Sequence, residues 1–170
     1  WPDPPYRGDK SYLPHPSPRA AYAAMVTRMD REVGRIVELL RELGLDERTI
    51  VVFTSDNGPT YDRLGGSDST FFRSAGPFRG LKGSLYEGGV RVPAIVRWPG
   101  RVPAGLVSER VTGFEDWLPT LLELAGARGD VPGEVDGVSF APTLLGRTQE
   151  PRPFLYREFP GYGGQQTVRV

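Results

Sequence analysis

Between Arg19 and Leu43 the apolar residues Tyr22, Met25, Val26, Met29, Val33, Ile36, Val37, Leu40 and Leu43 recur at steps of three and four. That period predicts an amphipathic helix, with Asp30, Arg31, Glu38, Arg41 and Glu42 largely off the stripe. Gly44 stands where a left-handed residue would end it, and the stripe is expected to pack on a sheet. The pattern then changes to a continuous run, Ile50-Val51-Val52-Phe53, between turn signals. Such a run predicts a strand over Thr49–Thr54, buried on both faces as in a parallel sheet. It stops abruptly at Ser55-Asp56-Asn57-Gly58.

Later segments repeat these two patterns in shorter form. Val90–Trp98 reads as a strand broken by Pro93, and Val111–Phe114 as a short strand. Asp116–Leu124 reads as a helix stopped by Gly126, and Val138–Leu145 as a short helix capped by Ser139 and ended by Gly146. Phe154–Phe159 and Thr167–Val170 flank a glycine-rich turn at Gly161–Gly164, which predicts a hairpin. It would either add to the main sheet or open a smaller subdomain. Trp1–Pro18 has no period and reads as a surface excursion, and Pro59–Ala75 as a long polar loop. Helix, strand and polar loop in this order predict an α/β fold.

Composition narrows the chemistry. The 170 residues carry 21 basic and 21 acidic side chains without a concentrated basic run, so no nucleic-acid partner is expected. No stretch approaches the roughly 20 apolar residues that cross a bilayer. With no cysteine, disulfides, zinc–thiolate sites and a cysteine nucleophile are excluded within these residues. The 22 glycines and 17 prolines, beside 38% hydrophobic residues, indicate long loops rather than disorder. Trp1 at one end and a strand-like Thr167–Val170 at the other read as an internal segment of a longer protein.

Asp56 and Asn57 follow the predicted strand at its carboxyl end, where open α/β sheets bind ligands. Their carboxylate and amide oxygens suit Ca²⁺ or Mg²⁺; equally, Asp-Asn-Gly is an ordinary turn sequence. Lys82 stands among Gly80, Gly83, Gly88 and Gly89, which would leave backbone room for an anion. Glu87 and Arg91 are either ligands or an internal salt bridge holding the glycine turn. His15, the single histidine, stands between prolines and reads as a surface-loop histidine, with a catalytic role as the alternative.

Four blocks in order, Thr54-Ser55-Asp56-Asn57-Gly58-Pro59, Gly80-Leu81-Lys82-Gly83, Tyr86-Glu87-Gly88-Gly89-Val90-Arg91-Val92-Pro93 and Trp98-Pro99-Gly100, resemble the sulfatase family of the alkaline-phosphatase-like superfamily. The resemblance extends from about Tyr22 to the end. It implies an alkaline-phosphatase-like central sheet flanked by helices, present in part. Residues 1–150 would be the C-terminal part of the catalytic domain and 151–170 the start of a truncated C-terminal subdomain. It further implies hydrolysis of a small-molecule or glycan sulfate ester with a divalent metal, Ca²⁺ or Mg²⁺, in a periplasmic or extracellular setting.

On this resemblance Asp56 and Asn57 are metal ligands and Lys82 contacts the sulfate or the leaving oxygen. The family's nucleophile is a formylglycine made within a Cys/Ser-x-Pro-Ser-Arg motif. Ser17-Pro18-Arg19 has neither its spacing nor its position, so that group is expected outside this chain, which would hold the C-terminal half of a site. A phosphatase, phosphonate hydrolase or phosphodiesterase of the same superfamily, and a structural segment without chemistry, remain alternatives. Tyr61, Phe71 and Phe72 either stack on a substrate ring or anchor their loop.

Overall fold

The computed structural model describes residues 2–9, 12–62 and 64–170. Positions 1, 10 and 11 of the lead-in and position 63 of the long loop lie outside the described residues. The chain divides into two compact units. The first comprises Trp1–Asp46, Phe53–Ala94 and Phe159–Gln165, the second Glu47–Val52, Ile95–Glu158 and Gln166–Val170.

In the first unit, helix α1 runs over Pro18–Glu42 with proline in its first turn, where a missing N–H costs nothing. Ser17 makes no capping bond. Instead the Asp3 carboxylate accepts the amides of Arg19 and Ala20 at 2.9 and 3.0 Å, placing negative charge at the helix N-terminus. The lead-in folds back on itself through antiparallel bridges between Tyr6 and His15 and between Asp9 and Tyr12. At the other end of α1, Gly44 adopts φ +66°, its amide donates to Arg41 O, and the Leu45 amide donates to Leu40 O. A left-handed residue thereby satisfies carbonyls the helix leaves open.

The stripe on α1 departs from expectation. None of its residues is buried; Met25 is 70% exposed and Ile36 57%. Strand β1 (Val51–Thr54) pairs with β2 (Ala94–Arg97) in a sheet of two strands, and Val52 is 36% exposed rather than covered on both faces. Size explains both differences. Four-residue strands reach about 13 Å, whereas a 25-residue helix extends about 38 Å, so this sheet cannot cover the stripe. The expected strand over Val90–Trp98 is also shorter. Its first residue belongs to a one-turn helix, α2 (Glu87–Val90), closed by the Arg91 amide on Glu87 O at 2.8 Å.

The second unit holds α3 (Trp117–Leu124) and α4 (Ala141–Leu144). Both end as α1 does, at Gly126 and Gly146. Ser139 Oγ accepts the Ala141 amide at 3.3 Å, but the N-cap position expected for it is taken by Phe140, which makes no side-chain capping bond, because the helix starts one residue later. Strands β3 (Leu155–Phe159) and β4 (Gln165–Arg169) form a second two-stranded sheet, as the hairpin pattern predicts. Residues 111–114 form no strand, because the Gly113 amide donates to the Asp116 carboxylate at 2.8 Å instead of to a ladder.

This unit is organised by a buried acid. Asp116 is 2% exposed; its Oδ2 also accepts Arg152 Nη1 at 2.8 Å, and its Oδ1 the Val138 amide at 2.8 Å. Thr120, fully buried, donates to Asp116 O and accepts the Phe140 amide. Phe140 stacks edge-on against Trp117 at 4.9 Å. Glu115 accepts from Arg157 Nη1 and Nη2, at 2.9 and 2.8 Å. Desolvation opposes the Glu115 charge, but the Arg157 bonds and the Arg157 and Arg152 charges prevail and hold its pKa below the ordinary glutamate range. Among the described residues no helix is long and apolar enough to cross a membrane.

Candidate functional site

The candidate residues lie in the first unit, just beyond β1. Ser55 Oγ donates to Asn57 O at 2.9 Å, tightening the turn. Asn57 Nδ2 donates to Gly58 O at 2.9 Å, which fixes the amide and leaves Oδ1 as its acceptor. Asp56 is exposed.

Backbone bonds lace three segments together here. The Lys82 amide donates to Pro59 O at 2.8 Å, Gly58 to Gly89 O at 2.8 Å, and Gly88 to Arg79 O at 2.7 Å. The Asp56-Asn57 turn and Lys82, far apart in sequence, therefore sit on adjoining backbone. The glycines serve this junction rather than an open anion cradle: a Cβ on Gly58 would overlap the Gly88 carbonyl, one on Gly88 the Gly80 carbonyl, and one on Gly89 the Ser84 carbonyl. Only glycine permits such contact of three main-chain segments.

Glu87 and Arg91 form an ion pair along α2 at 3.6 Å, with Arg91 also 4.6 Å above the Phe78 ring, so the salt-bridge reading holds. His15 is exposed, and its Nδ1 accepts the Ser17 amide at 3.0 Å. Arg19 is committed to Asp68 at 2.7 Å and lies over the Phe71 ring at 3.9 Å. Phe72 packs on Phe71 and on Tyr22 of α1. Phe71 and Phe72 thus anchor the long loop to the helix.

Tyr61 is placed differently, against Gly83, where Tyr162 from the β3–β4 turn also packs. Neither Tyr162 nor Gln165 stood out in the sequence, where both lie in an unremarkable hairpin turn. Among the described residues no group of three or more His, Cys, Asp or Glu side chains could hold a metal ion. Asp56 and Asn57 offer two side-chain oxygens of the hard kind a divalent cation takes, fewer than the six to eight of a complete calcium shell.

A strand ending in an acid–amide turn, laced to a lysine loop and preceded by a long helix, makes this an α/β chain. The Sulfatase family model matches residues 2–127. The chain belongs to the sulfatase family. It is 44% identical to mouse (Mus musculus) steryl-sulfatase over 131 residues, covering 76% of this chain and 21% of that protein. It is 40% identical to dog (Canis lupus familiaris) N-acetylgalactosamine-6-sulfatase over 143 residues, covering 82% and 26%. The chain thus spans about a quarter of the length of these relatives.

Among solved structures, a protein in complex with its substrate D-glucosamine-2-N,6-O-disulfate superposes with TM-score 0.69 at 26% identity, over 88% of this chain and 29% of that one. A phosphonate monoester hydrolase from Silicibacter pomeroyi superposes with TM-score 0.63 at 31% identity, over 82% and 25%.

Proposed function

We propose that the protein carrying this chain hydrolyses sulfate esters of small molecules or glycans, and that Asp56, Asn57 and Lys82 are its contribution to the site. The observation that carries this reading is the backbone bond from Lys82 to Pro59, which sets a cationic residue beside an acid–amide turn. Asp56 and Asn57 supply oxygens to a divalent cation, Ca²⁺ in first place and Mg²⁺ in second. When bound, that cation offsets charge on the sulfuryl oxygens. Lys82 supports the same charge, or that of the leaving oxygen, through its ammonium group. The formylglycine nucleophile belongs to residues other than these 170, in which residues 1–150 extend the catalytic domain and 151–170 begin a C-terminal subdomain.

The phosphonate monoester hydrolase neighbour supports a second reading, cleavage of phosphonate or phosphate esters on the same scaffold. Calcium titration calorimetry on the full-length protein, with parallel assays on an aryl sulfate and an aryl phosphonate monoester, separates the two. Turnover of the sulfate with calcium dependence is expected. Preference for the phosphonate, or activity untouched by complete metal removal, overturns the sulfatase reading.

A further inference from the structure

The turn between β3 and β4 carries an aromatic residue in a place better suited to glycine. Tyr162 adopts φ +53°, a left-handed conformation that side-chain-bearing residues rarely hold, and its neighbours in sequence are Gly161, Gly163 and Gly164. Its ring contributes little to a core, being 74% exposed. An exposed aromatic kept against backbone preference points to use of the ring itself.

The surroundings say where that use falls. A Cβ built on Gly83 would lie 2.6 Å from the Tyr61 hydroxyl and 2.8 Å from the Tyr162 ring, so both tyrosines lie directly against the residue after Lys82. Gln165 clips the turn to the same loop: its Nε2 donates to Gly83 O at 3.1 Å and its Oε1 accepts the Leu85 amide at 3.2 Å. Phe159 backs Tyr162 at 5.9 Å between ring centroids. The Tyr162 phenol, with desolvation adding to it, raises the Tyr61 pKa above its ordinary value.

We infer that Tyr162, supported by Tyr61, is a ring-stacking platform beside Lys82 that selects sulfate esters whose leaving group presents a flat apolar ring face. The inference rests on Lys82 acting at the sulfate. An aryl ring and the C–H face of a pyranose share this chemistry, and two exposed tyrosines offer them both a π-face and hydroxyl partners. Tyr162 is a specificity-determining residue in this scheme: it holds the part of the ester that departs and leaves the sulfuryl group to Lys82.

The test uses the full-length protein with Tyr162→Gly, Tyr162→Phe and Lys82→Ala. Glycine removes the ring while suiting the positive φ, so the turn is expected to keep its shape. Probes are 4-nitrophenyl sulfate, glucosamine 6-sulfate, and inorganic sulfate as a ring-free inhibitor. Tyr162→Gly is expected to raise KM for at least one ring-bearing ester about three- to tenfold, the range stacking supplies, with kcat and the inhibition constant of inorganic sulfate unchanged. Tyr162→Phe is expected to keep KM within about twofold, since stacking survives. Which of the two esters responds tells whether the ring is aryl or sugar.

An unchanged KM for both esters in Tyr162→Gly overturns the inference. So does a parallel loss of kcat and of inorganic sulfate binding, which marks a structural role. Lys82→Ala with unaltered sulfate inhibition defeats the assignment of Lys82 instead, and is read independently of the Tyr162 result.

Discussion

Asp116 and Arg152, 36 positions apart, meet at 2.8 Å with the acid side chain 3% exposed and the guanidinium 13% exposed. Because the same carboxylate also takes the amides of Gly113 and Val138, one side chain ties three separate segments of the second unit. Removing it strands a charge as well as two backbone donors. Asp116→Ala is therefore expected to destabilise the unit by about 3–5 kcal/mol, measured by urea unfolding. A loss within ordinary surface scatter, about 0.5 kcal/mol, refutes the role.

Acidification should weaken the same region through Glu115. In the folded chain this carboxyl releases its proton at lower pH than in the unfolded chain, so between those two values the unfolded state binds more protons and stability rises with pH. The contribution is complete above the ordinary glutamate range and disappears as pH falls through the folded value. Unfolding midpoints measured across mildly acidic pH should flatten in Glu115→Gln relative to the parent sequence, and identical slopes would contradict the assignment.

Two glycines should respond oppositely to alanine. Gly34 lies within α1 with nothing within 4 Å of a would-be Cβ, so Gly34→Ala is expected to stabilise by about 0.5–1 kcal/mol. Gly58→Ala drives a methyl into the Gly88 carbonyl and is expected to cost about 1–3 kcal/mol by overpacking. Thermal denaturation of the two variants checks the sign difference, and a neutral Gly58→Ala would deny the close approach.

Metal binding and turnover should separate between the candidate residues. In the full-length protein Asp56→Ala is expected to weaken calcium binding and abolish activity, whereas Lys82→Ala lowers kcat with calcium affinity largely kept. The 170-residue chain alone, offering one carboxylate and one amide beside a lysine, is expected to bind calcium weakly, because affinity rises with ligand charge. Calorimetry decides both points, and full activity in Asp56→Ala would remove the metal assignment.

The exposed stripe of α1 makes a further measurement possible. Met25, Met29, Ile36 and Leu43 are each at least 47% exposed. An apolar patch of this kind should bind a hydrophobic dye, and Met29→Lys with Ile36→Lys should reduce the signal. Fluorescence equal in both proteins would locate the dye elsewhere.

Local signals were legible in the sequence because they are local. Gly44, Gly126 and Gly146 end helices where period and residue type say so, and the β3–β4 hairpin follows from alternation about Gly161–Gly164. Asp116 was not legible as an organiser. At a helix start it looks like any capping acid, and its partners lie 3, 22 and 36 positions away with no periodic mark. Tyr162 was hidden for the same reason, since only folding brings it to Gly83.

Gln165 opens β4, while its amide group grips the main chain on both sides of Ser84. Side chains alternate along a strand, so a one-residue slip in pairing would turn Gln165 to the opposite face and release that grip. The length of the Gly161–Gly164 turn therefore acts as a ruler: inserting or deleting a single residue there would change what stands beside Lys82 without altering any residue of the Asp56 turn.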